Sequence, residues 1–475
     1  MRTRRLTPAL VLGLVLAVSL AATAVAAATP GDKVWQSTFN GPGLTDEGRS
    51  ITRSHDGATV IITGNGSPAV GDPSDIVTVA YDAATGAQRW VRRIVGSVTN
   101  GNETASGIVA SPTADLVFVT GNVASATGYN NWRVTAYAIA TGNVVWTRGF
   151  AGSDGLDDRP GAITVGPGGG RVYVTGTEEF GSGGQAIRTI SYDAATGATA
   201  WSRLAGNADT DAFSSGIGVS PGGGRVLVVG GYNDGDGRQA FVASYQAGPG
   251  ALQWTRQIPR APGLNPAETS YDSFTGVGVS PDGTRVFAAG DTTTGGSTNA
   301  ILVVSLAAST GTPQWTVRRP ENATGYAAAN TLVVGPGGSR IFVTGADTSV
   351  TGGLDWIVLS YRVADGTTAW VRRFSGTANL NENPLASVIR PDGTRLFVTG
   401  SVRNTGTDRD GRTVALAPTD GTTVWDRTEN GAANLSDVLS GITIGPAGGR
   451  VYVTGSTTTG PFLSPRSALT IAYAS

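Results

Sequence analysis

The chain has 475 residues, of which 70 are glycine and only 15% are charged. Its formal net charge of −1 excludes the strongly basic surface with which proteins bind nucleic acid or an anionic membrane. It contains no cysteine, which excludes disulfides, thiol catalysis and thiolate metal sites.

Residues 1–28 have the pattern of a secretory signal peptide. Three arginines within the first five residues precede an apolar run over residues 9–25 and small residues through Ala28. This order predicts cleavage between Ala26 and Ala28. An uncleaved membrane anchor is the alternative, because the run is long enough to span a bilayer. We therefore expect a secreted, extracellular protein that has no membrane contact after cleavage.

One pattern then recurs about every 55 residues to the end of the chain. A short apolar strand, an Asp-Gly or Gly-Gly turn and a second strand are followed by a variable loop and a third strand. A Thr-Gly turn and a strand that carries tryptophan complete the unit, as in Ala-Tyr-Asp-Ala-Ala-Thr-Gly-Ala-Gln-Arg-Trp at residues 80–90. Four antiparallel strands in a unit of this length are typical of a β-propeller blade.

The sequence contains eight such units, and we expect all of residues 29–475 to form one domain. The last unit ends on its third strand, whereas Lys33–Phe39 precedes the first unit and carries Trp35 in phase with the repeat. This predicts an all-β, single eight-bladed propeller, closed by pairing of the N-terminal and C-terminal strands in the last blade. The predicted blades are residues 45–95, 102–150, 157–206, 211–258, 271–319, 326–375, 381–429, and 436–475 with 33–39.

The repeated turn also points to a family. Ala80-x-Asp82-x-x-Thr85-Gly86-x-x-x-Trp90 resembles the tryptophan-docking motif of PQQ-like, quinoprotein-type eight-bladed propellers. The whole repeat, with its Val-Tyr-Val-Thr-Gly second strand, is similar to exported bacterial β-propeller repeat proteins. The resemblance implies that the repeated tryptophans are structural and lie between neighbouring blades. These are Trp35, Trp90, Trp146, Trp201, Trp254, Trp315, Trp370 and Trp425.

The same resemblance raises the hypothesis of a PQQ-dependent oxidoreductase. That family holds its cofactor with a calcium ion, and many members stack it against adjacent cysteines, which this chain lacks. The single histidine, His55, falls in a predicted hairpin turn, and one histidine cannot build a multi-histidine zinc site. We predict no cofactor and leave open whether a metal such as calcium binds in the channel.

Acidic residues recur just before the first strand of most units. Because the first strand of a blade is the innermost, these side chains are expected to ring one mouth of the central channel. Such a ring could bind a cation or a polyhydroxyl ligand, or supply an acid/base pair for glycan cleavage. The alternative is that they cap the strands by accepting hydrogen bonds from the backbone. The candidates are Asp46, Glu103, Asp158, Asp211, Asp272, Glu382 and Asp437.

Two further tryptophans, Trp132 and Trp356, stand at the start of third strands. Packing is one interpretation of these residues, and stacking against a ligand is the other. The loops before them, residues 122–131 and 346–355, are expected on the same face as the acidic ring. We therefore predict that this face binds ligands.

These observations favour an exported, monomeric, non-enzymatic binding or scaffold module without catalytic residues. It would hold a glycan or an extracellular protein partner through the loop face around the channel mouth. The alternative is an extracellular enzyme on the same scaffold. This would be a carboxylate-based glycan hydrolase or lyase, or a PQQ-dependent oxidoreductase.

Overall fold

A computed structural model of the protein describes residues 28–475 apart from 44, 97, 99–100, 234, 236, 260–270, 296–297, 320–324, 349–351, 447 and 461–464. The predicted signal peptide lies outside the described residues, except for Ala28.

The described residues form 32 strands, which group into eight antiparallel blades of four strands each. The inner strands of blades 1 to 8 are Asp46–Arg53, Thr104–Ala110, Arg159–Val165, Asp211–Val219, Ser273–Val279, Ala327–Val334, Asn383–Ile389 and Asp437–Ile444. The second strands are Thr59–Gly66, Leu116–Ala124, Arg171–Glu179, Arg225–Asn233, Arg285–Gly295, Arg340–Thr348, Leu396–Val402 and Arg450–Thr458.

The third strands are Asp75–Asp82, Asn130–Ala138, Gln185–Asp193, Gln239–Gln246, Thr298–Ala307, Leu354–Arg362, Asp410–Leu416 and Arg466–Ala474. The outer strands are Gln88–Ile94, Val144–Phe150, Thr199–Ala205, Leu252–Ile258, Pro313–Arg319, Thr368–Phe374, Thr423–Glu429 and, for blade 8, Lys33–Phe39. A single parallel pair, Gln185 with Asp211, joins the sheets of blades 3 and 4.

The last blade is completed by the N-terminal strand. Lys33–Phe39 pairs antiparallel with the last strand of the chain, with Trp35 opposite Ala472 and Phe39 opposite Ala468. The prediction of an all-β, eight-bladed propeller closed by its two terminal strands is therefore confirmed. Closure covers the edge strand that an open ring would expose to other chains.

The core lies between the blades, because the second and third strands are buried on both faces. Thr59–Gly66 is buried at every position, as expected for strands sandwiched between neighbouring sheets. Leu227 and Val229 of blade 4 pack with Val286 and Ala288 of blade 5 in one of eight such apolar clusters.

Each inner strand carries a β-bulge at the same place, such as the register shift between Gly48 and Ser50. Some bulge side chains bond to the next blade across the channel wall. Ser440 Oγ donates to Gly48 O at 2.6 Å, and Thr275 Oγ1 donates to Ala329 O at 2.7 Å. The extra residue turns the side chain away from its own sheet, so these bonds link inner strands around the ring.

The antiparallel order gives the propeller two different faces. The turn face carries the short hairpins between first and second strands and the Thr-Gly turns between third and outer strands. The loop face carries the connections between second and third strands, and those from each outer strand to the next blade. Residues 122–131, 346–348 and 352–355 belong to the loop face, which is also where each inner strand begins.

The two chain segments that meet in blade 8 reproduce a Thr-Gly turn without a covalent link. Gly31 N donates to Ala474 O at 2.7 Å, and Ala474 N donates to Asp32 O at 2.9 Å. In blade 2, Gly142 and Ala138 make the equivalent bond at 2.7 Å. The closing strand therefore enters with the same geometry as the other outer strands.

Candidate functional site

Six of the seven predicted carboxylates are buried at the start of their inner strands. They occupy one register position, two residues before the bulge, and are 0–1% exposed. They are Asp46, Glu103, Asp158, Asp272, Glu382 and Asp437.

Most of these side chains accept hydrogen bonds from the backbone of the segment that arrives from the previous blade. The donors include Gly41 for Asp46 (2.7 Å), Gly152 for Asp158 (2.5 Å), Gly376 for Glu382, and Gly431 for Asp437 (2.5 Å). Asp272 instead accepts from Thr292 Oγ1 at 2.9 Å and Thr293 N at 2.7 Å. A buried carboxylate needs such donors, and this geometry is that of strand capping.

Burial raises the pKa of five of these six carboxyl groups. It raises the pKa of Asp158 to about 6 and that of Glu382 to about 7, although backbone N–H groups oppose the shift. Burial also raises the pKa of Asp46, Glu103 and Asp437. The six side chains hold the loop face together from inside and do not project into the channel mouth.

Asp211 differs from the other six. In blade 4 the bulge lies between Ser214 and Gly216, so Ala212 occupies the buried position and Asp211 precedes it by one residue. Successive strand residues point to opposite faces, and the Asp211 side chain is accordingly 47% exposed. It pairs with Arg238 at 2.7 Å on the surface of the loop face.

Trp132 and Trp356 are both 0% exposed. A Cβ built on Gly176 of blade 3 would lie 2.5 Å from the Trp132 ring, and one on Gly400 of blade 7 would lie 2.9 Å from the Trp356 ring. Trp356 Nε1 also donates to Ser401 O at 3.0 Å. Both indoles therefore pack across blade interfaces, where a ligand on the loop face does not contact their rings.

The eight repeated tryptophans lie on the turn-face side, in the outer strands. Trp90, for example, packs over Gly142 of the next blade, and its Nε1 donates to Ile139 O at 2.7 Å. The other pairs of tryptophan and glycine are Trp35–Gly86, Trp146–Gly197, Trp201–Gly250, Trp254–Gly311, Trp315–Gly366, Trp370–Gly421 and Trp425–Gly31.

An arginine two residues after the tryptophan extends this contact, and the sequence interpretation missed it. Arg92 Nε donates to Gly142 O at 2.7 Å, and Arg92 Nη2 donates to Thr141 O at 2.9 Å. The same Nε bond is made by Arg148, Arg203, Arg256, Arg372 and Arg427. The recurring Trp-x-Arg spacing is the signal that could have revealed it.

With this geometry established, comparisons with known proteins place the chain. The model of the family described as outer membrane protein assembly factor BamB matches residues 5–166, 76–336, 186–382 and 238–462. The chain belongs to this family. No curated protein matches the chain.

Solved structures similar to this member of the BamB family are also propellers. The C-terminal WD40 domain of Sif2 is 8% identical, with a TM-score of 0.55 over 94% of this chain and 99% of that one. Quinohemoprotein alcohol dehydrogenase from Comamonas testosteroni is 13% identical, with a TM-score of 0.55 over 93% and 76%. The enzyme ADHIIG from Pseudomonas putida HK5 is 11% identical, with a TM-score of 0.54 over 93% and 76%. At these identities the likeness shows the fold alone.

The resemblance of the repeat to PQQ-like propellers raises the question of a quinone held by calcium. Within the described ranges, no three Asp, Glu or His side chains lie together where they could hold a metal ion. The six buried carboxylates at the starts of the inner strands are in separate blades and accept hydrogen bonds from nearby N–H or hydroxyl groups. The described part of the chain also contains no helix of the length and apolarity needed to cross a bilayer.

Exposed apolar side chains are distributed unevenly over this BamB-family propeller. Six large ones stand on loop-face connections and five in outer strands, and among the described residues none stands on a turn-face connection. The loop-face set is Val70, Val95, Tyr129, Tyr271, Tyr326 and Leu380. The outer-strand set is Val144, Val145, Leu204, Leu252 and Val424.

Proposed function

We propose that the chain is an exported, non-enzymatic binding or scaffold module that uses the loop face around the channel mouth. Membership of the BamB family supports a propeller scaffold. The signal-like residues 1–28 support export. No catalytic step is assigned, because the conspicuous carboxylates are occupied in capping the inner strands.

The observation that carries the proposal is the uneven distribution of exposed apolar and aromatic side chains. Tyrosine is enriched among the residues that contribute most to binding. Three exposed tyrosines stand on loop-face connections, whereas the turn face repeats short polar hairpins. Loops positioned by a rigid scaffold are also common sites of binding.

A thermal-unfolding screen followed by face-specific variants tests this proposal. The mature protein would be screened with calcium, with PQQ plus calcium, and with purified bacterial and plant glycans, because a ligand of the folded state raises Tm. Any hit would be repeated with the loop-face variant Tyr129→Glu/Tyr271→Glu/Leu380→Glu. We expect this variant to lose the Tm shift.

The matched control places three glutamates on outer strands: Val144→Glu/Val145→Glu/Leu252→Glu. The two sets are exposed to similar extents, 43–59% and 46–58%, so they add equal charge to equally accessible positions. The control is expected to keep the shift. Binding that survives only in the loop-face variant, or release of a cleaved product from any bound glycan, would contradict the proposal.

A further inference from the structure

Blade 5 departs from the repeat at the loop-face end of its second strand. The residue that follows the glycine repeated in every blade there is Asp291, which lies opposite Ser273. The other blades have Asn65, Asn122, Thr177, Gly231, Ala346, Ser401 and Ser456 at this register position. A carboxylate that occurs in one blade of eight is not required by the fold.

The Asp291 carboxylate is held by two polar side chains near the surface. Ser273 Oγ donates to Oδ1 at 3.1 Å, and Asn299 Nδ2 donates to Oδ2 at 3.1 Å. Burial raises the pKa of Asp291 to about 6, although the hydrogen bond from Ser273 lowers it. The neighbouring Asp272 carboxylate also raises this pKa. These contacts fix the orientation of a carboxylate and an amide beside each other.

Two exposed tyrosines occupy equivalent positions on blades 5 and 6. Tyr271 is 59% exposed and Tyr326 is 41% exposed. Each backbone N–H donates to a threonine hydroxyl in the second strand of its own blade: Tyr271 to Thr293 at 3.1 Å, and Tyr326 to Thr348 at 2.8 Å. The same anchor holds both residues, so the two rings stand one blade apart on a rigid backbone.

Asp291 stands two residues before Thr293, whose hydroxyl anchors Tyr271, and its strand packs against the inner strand of blade 6, which Tyr326 directly precedes. It is close enough to Tyr326 for its charge to add to the effect of burial, and both raise the pKa of the Tyr326 phenol. On the other side, the guanidinium of Arg238 lies 5.8 Å from the Tyr271 ring and pairs with Asp211 at 2.7 Å. Asp211, Arg238, Tyr271, Asp291 and Tyr326 therefore form a continuous row over blades 4, 5 and 6, which we call the tyrosine row.

We propose that the tyrosine row binds a neutral saccharide of at least two pyranose units. The C–H face of a pyranose can pack on each tyrosine ring, and the fixed carboxylate and amide beside the rings can bond its hydroxyls, a mix typical of small-molecule sites. The ion pair between Arg238 and Asp211 leaves no unmatched cation within the row for an anionic ligand. This inference rests on the proposed binding function of the loop face and specifies its ligand.

The surroundings favour a saccharide over a protein partner. The groups that contact the Asp291 carboxylate are the Ser273 hydroxyl and the Asn299 amide, and the neighbouring Thr293 hydroxyl accepts from the backbone of Tyr271. A stable protein interface buries roughly 800 Å² on each partner, around a mainly apolar centre. A polar strip beside two aromatic rings does not provide that centre.

Calorimetric titration of the mature protein with neutral oligosaccharides tests the inference. The probes are cello-, xylo-, malto- and chito-oligosaccharides of two to six units, each with its monosaccharide. We expect at least one series to bind, with affinity rising from monosaccharide to oligosaccharide. Tyr271→Ala/Tyr326→Ala should weaken binding at least tenfold, and Asp291→Asn at least threefold. Tyr271→Phe should retain most of the affinity, because the ring remains.

Tyr129→Ala is the matched control, since Tyr129 is 43% exposed on the loop face of blade 2, outside the tyrosine row. It should bind within twofold of the wild type, and the alanine variants should unfold at the wild-type Tm. The inference is overturned if no series binds more tightly than 1 mM, or if the double variant binds like the control. In the second case the proposed function would still stand provided that the loop-face glutamate variant loses the binding. Loss of binding in the outer-strand glutamate variant instead would overturn both.

Discussion

An exposed carboxylate of the turn face and a buried carboxylate of the loop face have pKa values shifted in opposite directions. On the turn face, Asp82 pairs with Arg89 at 2.7 Å and accepts bonds from its own turn, and these contacts lower its pKa to about 2. On the loop face, Asp158 is buried at the start of an inner strand, and burial raises its pKa to about 6. The same residue type therefore caps a turn in water on one face and a strand in the interior on the other.

The difference reflects how each face is constructed. A turn-face aspartate acts within a few residues of itself, so one short motif can recur with the same contacts in many blades. A loop-face carboxylate instead holds a connection that arrives from another blade, and those connections differ in length and sequence. The repeated motifs of the turn face therefore identify the fold in the sequence. Departures from the repeat, such as Asp291, accumulate on the loop face.

The largest expected effect comes from removing the strand that completes the last blade and supplies one of the tryptophan contacts of the turn face. Deleting residues 28–39 removes Trp35 from Gly86 and exposes the edge of the last strand. We expect aggregation on gel filtration, or a fall in Tm of roughly 10 °C or more compared with a chain beginning at Ala28. A truncated protein that stays monomeric with an unchanged Tm would contradict the closure scheme.

Two glycines with positive φ sharpen the comparison between the faces. Gly142 on the turn face has φ +70°, and a Cβ there would lie 2.6 Å from the Trp90 ring; Gly128 on the loop face has φ +88° and open space around it. Gly142→Ala should lower the free energy of unfolding by about 2–4 kcal/mol, because it adds backbone strain and overpacking. Gly128→Ala should lower it by about 1 kcal/mol, because it adds strain alone. Urea unfolding of both variants measures the difference. Equal costs would show that the tryptophan contact does not distinguish the faces.

The repeat explains how much of the fold is predictable from sequence. Glycine turns and tryptophans at a fixed period reveal the strands, and Trp35 in phase with Trp90 reveals the closing strand. Both the repeat period and the phase of Trp35 depend only on spacing along the chain, so ring closure is predictable from the sequence.

The loop face is harder to predict because its geometry depends on register. Asp211 stands in the same sequence context as the other carboxylates, yet a shift of one residue relative to the bulge turns its side chain outward. The glycine five or six residues before a carboxylate, as in Gly152 before Asp158, is a local signal that could have indicated capping. The tyrosine row has no such signal, since its residues come from three blades.

The arginines that extend the turn-face contact should contribute less than the glycines. Arg92→Ala removes two hydrogen bonds to the next blade and a guanidinium that lies 5.8 Å from the Trp90 ring, so we expect a loss of about 1–2 kcal/mol. The loop-face control is Arg159→Ala, whose side chain is 63% exposed and pairs only with neighbouring Asp157 among the described contacts. Arg159→Ala should change the free energy of unfolding by no more than about 0.5 kcal/mol. Similar losses for both, measured by urea unfolding, would remove the distinction.

The smallest expected effect is a change in stability between pH 5 and pH 8 that a buried loop-face carboxylate produces and an exposed turn-face carboxylate does not. Burial raises the folded-state pKa of Glu382 to about 7, above the ordinary value of about 4.3. Between these values the folded state binds more protons than the unfolded state, so the contribution of Glu382 to stability falls as pH rises. Glu382→Gln removes this loss, and the Tm of the variant relative to the wild type should rise by about 1–3 °C from pH 5 to pH 8.

Asp392 on the turn face is the control for this measurement. The backbone N–H and the hydroxyl of Thr394 lower the pKa of Asp392, so its contribution to stability is present above the ordinary value of about 3.9 and is lost only as pH falls below it. Asp392→Asn should therefore keep a constant Tm difference from the wild type between pH 5 and pH 8. If Glu382→Gln behaved in the same way, its carboxylate would have to be ionised at pH 5 in the folded state. Burial would then not control the ionisation of the Glu382 carboxylate, and the contrast between the two faces would rest on packing alone.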